Sequence, residues 1–196
     1  MKTKPRILSR HIAARTRIFQ VEALDLEFTN GQRRQYERIL SARGSVMVVP
    51  LQGDTLLLTR EYAAGFDRYE LGFPKGVVDP QEDPADAANR ELQEEIGFAA
   101  RRIDHLQTVS LAPGYIQHVT HIHLARDLYE KHAEGDEPEP VELVPWPLGE
   151  ADALLARPDF TEARAIAAIW LVRRFLAAGG RNETDLRGNG HSSHSS

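Results

Sequence analysis

The chain has 196 residues, a formal net charge of −5 and no cysteine. That length buries one sizeable core without covalent staples, and the missing thiols exclude disulfides, which fits a cytoplasmic location. An acidic balance argues against a nucleic-acid or anionic-membrane partner, since both need a basic footprint.

The first segment, MKTKPRILSRHIAARTR, is basic but lacks the continuous apolar core of a secretory signal, and no later stretch is long enough to span a bilayer. From Ile18 to Leu40 the pattern predicts a hairpin. Leu24, Leu26 and Phe28 alternate with Asp25 and Glu27, Asn30-Gly31 supplies a tight turn, and Gln32 to Leu40 forms the returning strand. Ser41 to Ser45 reads as a boundary. It separates an N-terminal β subdomain (residues 1–44) from a catalytic domain (45–178), with a polar tail (179–196) expected to be disordered. Val46 to Val49 and Thr55 to Leu58 read as buried strands around Gly53-Asp54.

Gly76 to Phe98 is the most informative stretch. Asp83 and Pro84 predict a helix start, because the aspartate accepts free N–H groups and proline at the first position loses no bond it needed. Gly97 predicts the stop. Ala85, Ala88, Leu92 and Ile96 form the expected apolar stripe, with an acidic face opposite. Glu91, Glu94 and Glu95 stand at i, i+3 and i+4, a spacing that costs roughly 0.2–0.5 kcal/mol per like-charged pair. A divalent cation reverses that sign, and carboxylate oxygens are the hard ligands Mg2+ prefers. Arg90 is placed to hold Glu82.

Further on, Ala112-Pro113-Gly114-Tyr115-Ile116-Gln117 is a loop leading to His118. Val119 to Leu124 is a strand with His121 and His123 on one face. Two histidines so spaced are potential metal ligands, but without a third ligand nearby the expectation is ordinary, partly exposed strand histidines. Glu134 to Pro140 is too proline-rich for a helix and too acidic for a core, which predicts an exposed loop before a strand at Val141 to Trp146. Two helices close the domain, one from Gly149 to Ala156. The other starts at an Asp159-Phe160-Thr161-Glu162 cap and turns Ala163, Ile166, Ala167, Trp170 and Leu171 inward.

The order Gly76, five residues, Glu82, seven residues, Arg90-Glu91-Leu92, one residue, Glu94-Glu95, one residue, Gly97-Phe98 resembles the Nudix box at every fixed position. The resemblance implies an α/β/α sandwich with a mixed sheet, preceded by a small antiparallel N-terminal β subdomain. It also implies Mg2+ or Mn2+ as cofactor. By it, Glu91 and Glu95 would be the principal metal ligands, Glu94 would support them, and a backbone carbonyl near Lys75 or Gly76 would complete the set. The β-rich extension and the strings Arg33 to Arg38, Arg60-Glu61-Tyr62 and Tyr69 to Phe73 resemble the branch of ADP-ribose pyrophosphatases and ADP compounds hydrolases. That branch implies a homodimer acting on an ADP-linked small molecule. Arg38, Arg60 and Glu70 are then candidate substrate contacts, and Tyr115 is a ring to stack on adenine. The catalytic base would be Glu137, then Glu139, with Glu94 in that role in other branches.

The expected reaction is hydrolysis of ADP-ribose, NADH or a diadenosine polyphosphate to AMP and a second phosphorylated product. Two rivals stand beside it: a sensor that binds ADP-ribose without cleaving it, and a nucleoside triphosphate pyrophosphohydrolase. The first needs a damaged box and the second does not explain the extension.

Overall fold

The computed structural model describes residues 2–41, 43–135 and 138–180. They form two compact units, Met1–Gly44 with Ser110–Val119, and Ser45–Val109 with the chain from Thr120 onward.

In the first unit, β1 (Arg6–Arg15), β2 (Gln20–Glu27) and β3 (Arg33–Leu40) run antiparallel in that order. The β2–β3 hairpin is the one expected from the alternation, with Leu24 opposite Tyr36 and Glu22 opposite Arg38. Its turn closes through Phe28 N–H donating to Gln32 O at 2.9 Å, with Gly31 at φ 79°, a left-handed conformation that glycine adopts without strain. Two features depart from the sequence reading. The basic N-terminal segment is itself a strand, and β9 (Ile116–Gln117) adds parallel to β3, so the small sheet is mixed rather than wholly antiparallel.

The second unit is built on β4 (Ser45–Gln52), whose run of apolar residues is buried on both faces, as central strands between two layers require. It joins β5 (Thr55–Ala63) antiparallel and β10 (Val119–Glu130) parallel, within the order β11-β5-β4-β10-β8. β8 is Phe98–Ser110 and β11 is Glu142–Pro147, while β6 (Arg68–Gly72) pairs with β5 and β7 (Lys75–Val77) with β4. On one face, Val46, Val48 and Ala125 pack with Ala87, Ala88 and Leu92 of α1 (Pro84–Glu95). On the other, Met47, Val49, Ile122 and Leu124 pack against α2 (Ala151–Leu155) and α3 (Ala163–Ala177). This is the expected α/β/α sandwich on a mixed sheet. Among the described residues, no helix is long and apolar enough to cross a membrane.

Three local expectations are corrected. The predicted 149–156 helix is a 3-10 turn, Leu148–Glu150, followed by the short α2. In α3 the buried residues are Ala165, Ala168, Ile169, Val172 and Phe175; of the residues expected inward, Ile166 and Leu171 pack against this core partly buried, while Trp170 is 59% exposed with Arg173 over its ring. Small Ala165 and Ala168 let the helix approach the sheet, whereas the indole keeps its polar edge wet. No side-chain cap forms at Glu162, which instead pairs with Arg164, while Thr161 Oγ1 donates to Glu70 Oε2 at 2.8 Å.

Candidate active site

The start of α1 is set as the sequence predicts: Asp83 accepts from Ala85 N–H at 2.8 Å, Pro84 occupies the first turn, and Gly97, at φ 72°, follows the end. Of the expected apolar stripe, Ala88 and Leu92 are buried and Ile96 packs against the same core, but the buried face extends to Ala87 and Glu91. Ala87, Ala88, Glu91 and Leu92 are the buried residues, so Glu91 sits at the edge of the packed face rather than opposite it. Its carboxylate lies against Gly76 on β7. A Cβ at position 76 would stand 1.9 Å from Glu91 Oε1.

Arg90 organises the solvent side of the cluster. It donates through Nε to Glu82 Oε1 (3.0 Å), through Nη1 to both Glu91 and Glu94 (2.8 Å each), and through Nη2 to Val77 O (3.0 Å). Its grip on Glu82 is the pairing expected from sequence, and Glu82 Oε2 in turn accepts from Asp79 N–H at 2.9 Å. Burial pushes the Glu91 carboxyl above its ordinary range, with Arg90 opposing.

Glu95 is the deepest of the three in electrostatic terms. Oε1 accepts from Lys75 N–H at 3.1 Å, and Oε2 is buried without a hydrogen-bond partner. Burial, and then the charge of Glu61, push its carboxyl up to about 8, with Lys75 working the other way. Glu61 is the residue that sequence reasoning passed over. It accepts from Lys75 Nζ at 2.7 Å and from Thr59 Oγ1 at 2.7 Å, which puts a fourth carboxylate beside the cluster. The only signal for it was a glutamate just past the apolar run of its strand.

As the side chains stand, no three His, Asp or Glu among the described residues meet at one point as ligands. Arg90 draws Glu91 and Glu94, and the Lys75 amide holds one oxygen of Glu95. The donor set nevertheless fits a divalent cation. All its atoms are hard carboxylate oxygens, one of them buried and unpartnered, and the Glu91 carboxylate rests in the space that the missing side chain of Gly76 leaves open.

The remaining candidates fall in three places. Arg60 donates to Asp159 Oδ2 (2.9 Å) and pairs with Glu142 (3.2 Å), while Glu70 is bound by Arg68 and Thr161, so both are engaged in linking β5 and β6 to the segment before α3. Glu139 Oε1 accepts from Tyr69 O–H at 2.8 Å; Glu137 lies outside the described residues. In the first unit, Arg38, Tyr36 and Tyr115 line a cavity of about 420 Å³ with Pro113 and Ile116. Arg38 is held there by Glu22 at 2.7 Å, and Tyr115 reaches the rim because Ile39 N–H donates to its carbonyl at 2.8 Å.

Carboxylates on one short helix, tied by their own arginine and laid over a glycine on a sheet covered on both faces, define a class of hydrolase. The chain belongs to the Nudix hydrolase family: the NUDIX domain model matches residues 42–177. The model of the NudE-type Nudix hydrolase N-terminal domain matches residues 5–38. The chain is similar to the ADP compounds hydrolase NudE of Escherichia coli (strain K12), at 51% identity over 91% of this chain and 96% of that protein. It is also similar to the ADP-ribose pyrophosphatase of Bacillus subtilis (strain 168), at 27% identity over 80% and 88% of the two chains. A crystal structure of an ADP compounds hydrolase matches with a TM-score of 0.88 and 50% identity, over 93% of this chain and 99% of that one.

Proposed function

We infer that this enzyme hydrolyses the pyrophosphate bond of ADP-linked compounds, such as ADP-ribose, NADH or diadenosine polyphosphates, releasing AMP. The relatives acting on ADP compounds and ADP-ribose support the substrate class. The observation that carries the chemistry is Glu95, whose buried, unpartnered oxygen lies beside a complete glutamate cluster.

We assign Mg2+ or Mn2+ to Glu91 and Glu95, with Glu94 in support and the Gly76 carbonyl as a neutral ligand. What the ion supplies is charge to offset the diphosphate and easier deprotonation of water. Arg90 fixes Glu91 and Glu94 so that neither carboxylate drifts when substrate arrives. Removal of the proton from the attacking water falls to a carboxylate oxygen of Glu137 or Glu139, with Glu94 the alternative. The water oxygen bonds to one phosphorus, that phosphorus loses its bond to the bridging oxygen, and the bridging oxygen leaves on the other phosphate, giving AMP and the second phosphorylated product. The Tyr69 hydroxyl engages Oε1 of Glu139, which leaves the proton to Oε2 where Glu139 is the base.

For the nucleoside end we assign Arg38 and Tyr115, on the strength of the cavity they share. Arg60 and Glu70 contact substrate only by exchanging their present partners. A cytoplasmic homodimer without nucleic-acid or membrane partners completes the reading.

The test is AMP release from ADP-ribose in Mg2+. Glu95→Gln is expected to lose about a hundredfold or more while its circular dichroism stays that of wild type, and a near-normal rate would remove the metal assignment. Glu137→Gln is expected to slow turnover by more than about tenfold. Equal rates there transfer the base to Glu139 or Glu94. Comparing ATP with ADP-ribose separates the triphosphate rival, and binding without product would mark a sensor.

A further inference from the structure

The histidines of β10 have the neighbour that the linear sequence did not supply. His121 and His123 lie on the same face of the sheet as Ala125, the face on which α1 packs. β8 lies next to β10 and brings in His105, with its ring centre 5.3 Å from that of His123 and 6.2 Å from that of His121. His123 is not the partly exposed strand residue expected from sequence; it is 2% exposed. Its Nδ1 is 3.3 Å from the His121 carbonyl. A carbonyl only accepts, so Nδ1 carries the proton and Nε2 keeps the lone pair. This arrangement recurs where a histidine ligates through Nε2 and is oriented by a backbone carbonyl.

The other two rings meet at one atom. His105 Nε2 lies 3.0 Å and His121 Nδ1 2.9 Å from Thr108 Oγ1, so a single hydroxyl stands between two ring nitrogens. Two imidazoles on one tetrahedral ion, with metal–nitrogen bonds of about 2.0–2.1 Å, place their ring centres about 5 Å apart. The His105–His123 separation of 5.3 Å is close to that value, and the His105–His121 separation of 6.2 Å is longer.

We propose that His105, His121 and His123 form a second metal site, separate from the glutamates of α1, that takes an imidazole-preferring ion of the zinc class. Imidazole nitrogen suits zinc and its transition-metal neighbours and is a poor ligand for Mg2+, so the two sites sort their ions by chemistry. The rings do not yet converge on one point, in keeping with the absence of a pre-closed group of three among the described residues. Closing the site takes release of the Thr108 hydroxyl and rotation of His105, which is exposed on β8. Burial lowers the ring pKa of both His105 and His123, the latter to about 4, which leaves them unprotonated at neutral pH. Asp83, the cap of α1, is near enough to His123 to act on its charge. The proposed site lies beside the start of α1, about 12 Å along the helix from Glu91.

The experiment is a Zn2+ titration of the full chain against a chromophoric chelator in excess Mg2+, which saturates the carboxylates and leaves imidazoles free. Wild type is expected to bind one Zn2+, and Co2+ in its place to show the visible bands of an imidazole-rich, low-coordinate site. His105→Gln, an exposed change that spares the fold, is expected to weaken binding at least about tenfold with unchanged AMP release in Mg2+. The double variant His191→Ala/His194→Ala is expected to bind like wild type. Absence of Zn2+ binding in wild type, unaltered affinity in His105→Gln, or loss of binding on changing His191 and His194 would each overturn the site. None of these outcomes touches the glutamate cluster.

Discussion

Gly76 shows at the scale of a single residue what the box requires of its first position. The Glu91 carboxylate occupies the volume a side chain would take, with 1.9 Å between Oε1 and a hypothetical Cβ. Because the clash is with the end of a flexible side chain, Gly76→Ala is expected to leave the melting temperature almost unmoved while displacing Glu91. Turnover in Mg2+ should fall by about tenfold or more, and a variant with normal kcat would show that the position of Glu91 is not critical. Glu95 carries the complementary lesson. Its spacing from Glu91 was plain in the sequence, but the unpartnered oxygen and the neighbouring Glu61 were not, since desolvation depends on what the strands bring alongside.

Elements are joined here by specific polar links as well as by apolar packing. Asp159 ties the segment before α3 to β5: Arg157 grips it at 2.8 Å through each of two nitrogens, and Arg60 at 2.9 Å. The Arg157 guanidinium, then that of Arg60, hold its carboxyl at about 2, against an ordinary value of 3.8. A depressed folded-state value means that the unfolded chain takes up the proton first, so the stabilisation is whole above about pH 4 and is lost as pH falls from there towards 2. Denaturant midpoints should therefore separate wild type from Asp159→Asn at pH 6 and draw together near pH 3. A gap of equal size at both pH values would rule the link out as a source of acid sensitivity. The helix α3 supplies a contrast within one element. Ile169→Ala, at a fully buried position, is expected to cost about 2–5 kcal/mol, and Trp170→Ala within about 0.5 kcal/mol. Equal losses in thermal denaturation would mean that the indole is covered in solution.

On the scale of the whole molecule, β1 is the element without enough neighbours. It edges its sheet, all ten of its residues are exposed, and Ile7, Leu8 and Ile12 are among them. An exposed strand edge carrying apolar side chains invites pairing with another chain, which supports the proposed homodimer. Sedimentation should find a species of twice the chain mass, and Ile12→Lys should shift it to the monomer. A wild-type monomer at micromolar concentration would end that assignment.

The order of residues along the chain determined, by itself, several features that depend on local spacing. The hairpin at Asn30-Gly31, the capped helix from Pro84, the doubly buried β4 and the Arg90–Glu82 pairing are all set by neighbours within a few positions, where period and turn chemistry act. Tertiary structure decided which of those residues share an environment. β9 joins β3, His105 joins His121 and His123, Glu61 approaches Glu95, and α3 turns Ile169 rather than Trp170 to the sheet. Each of these follows from long-range strand pairing and from the closeness with which small side chains let layers approach. Distances of that kind are fixed by packing across the fold, and no window of sequence contains them.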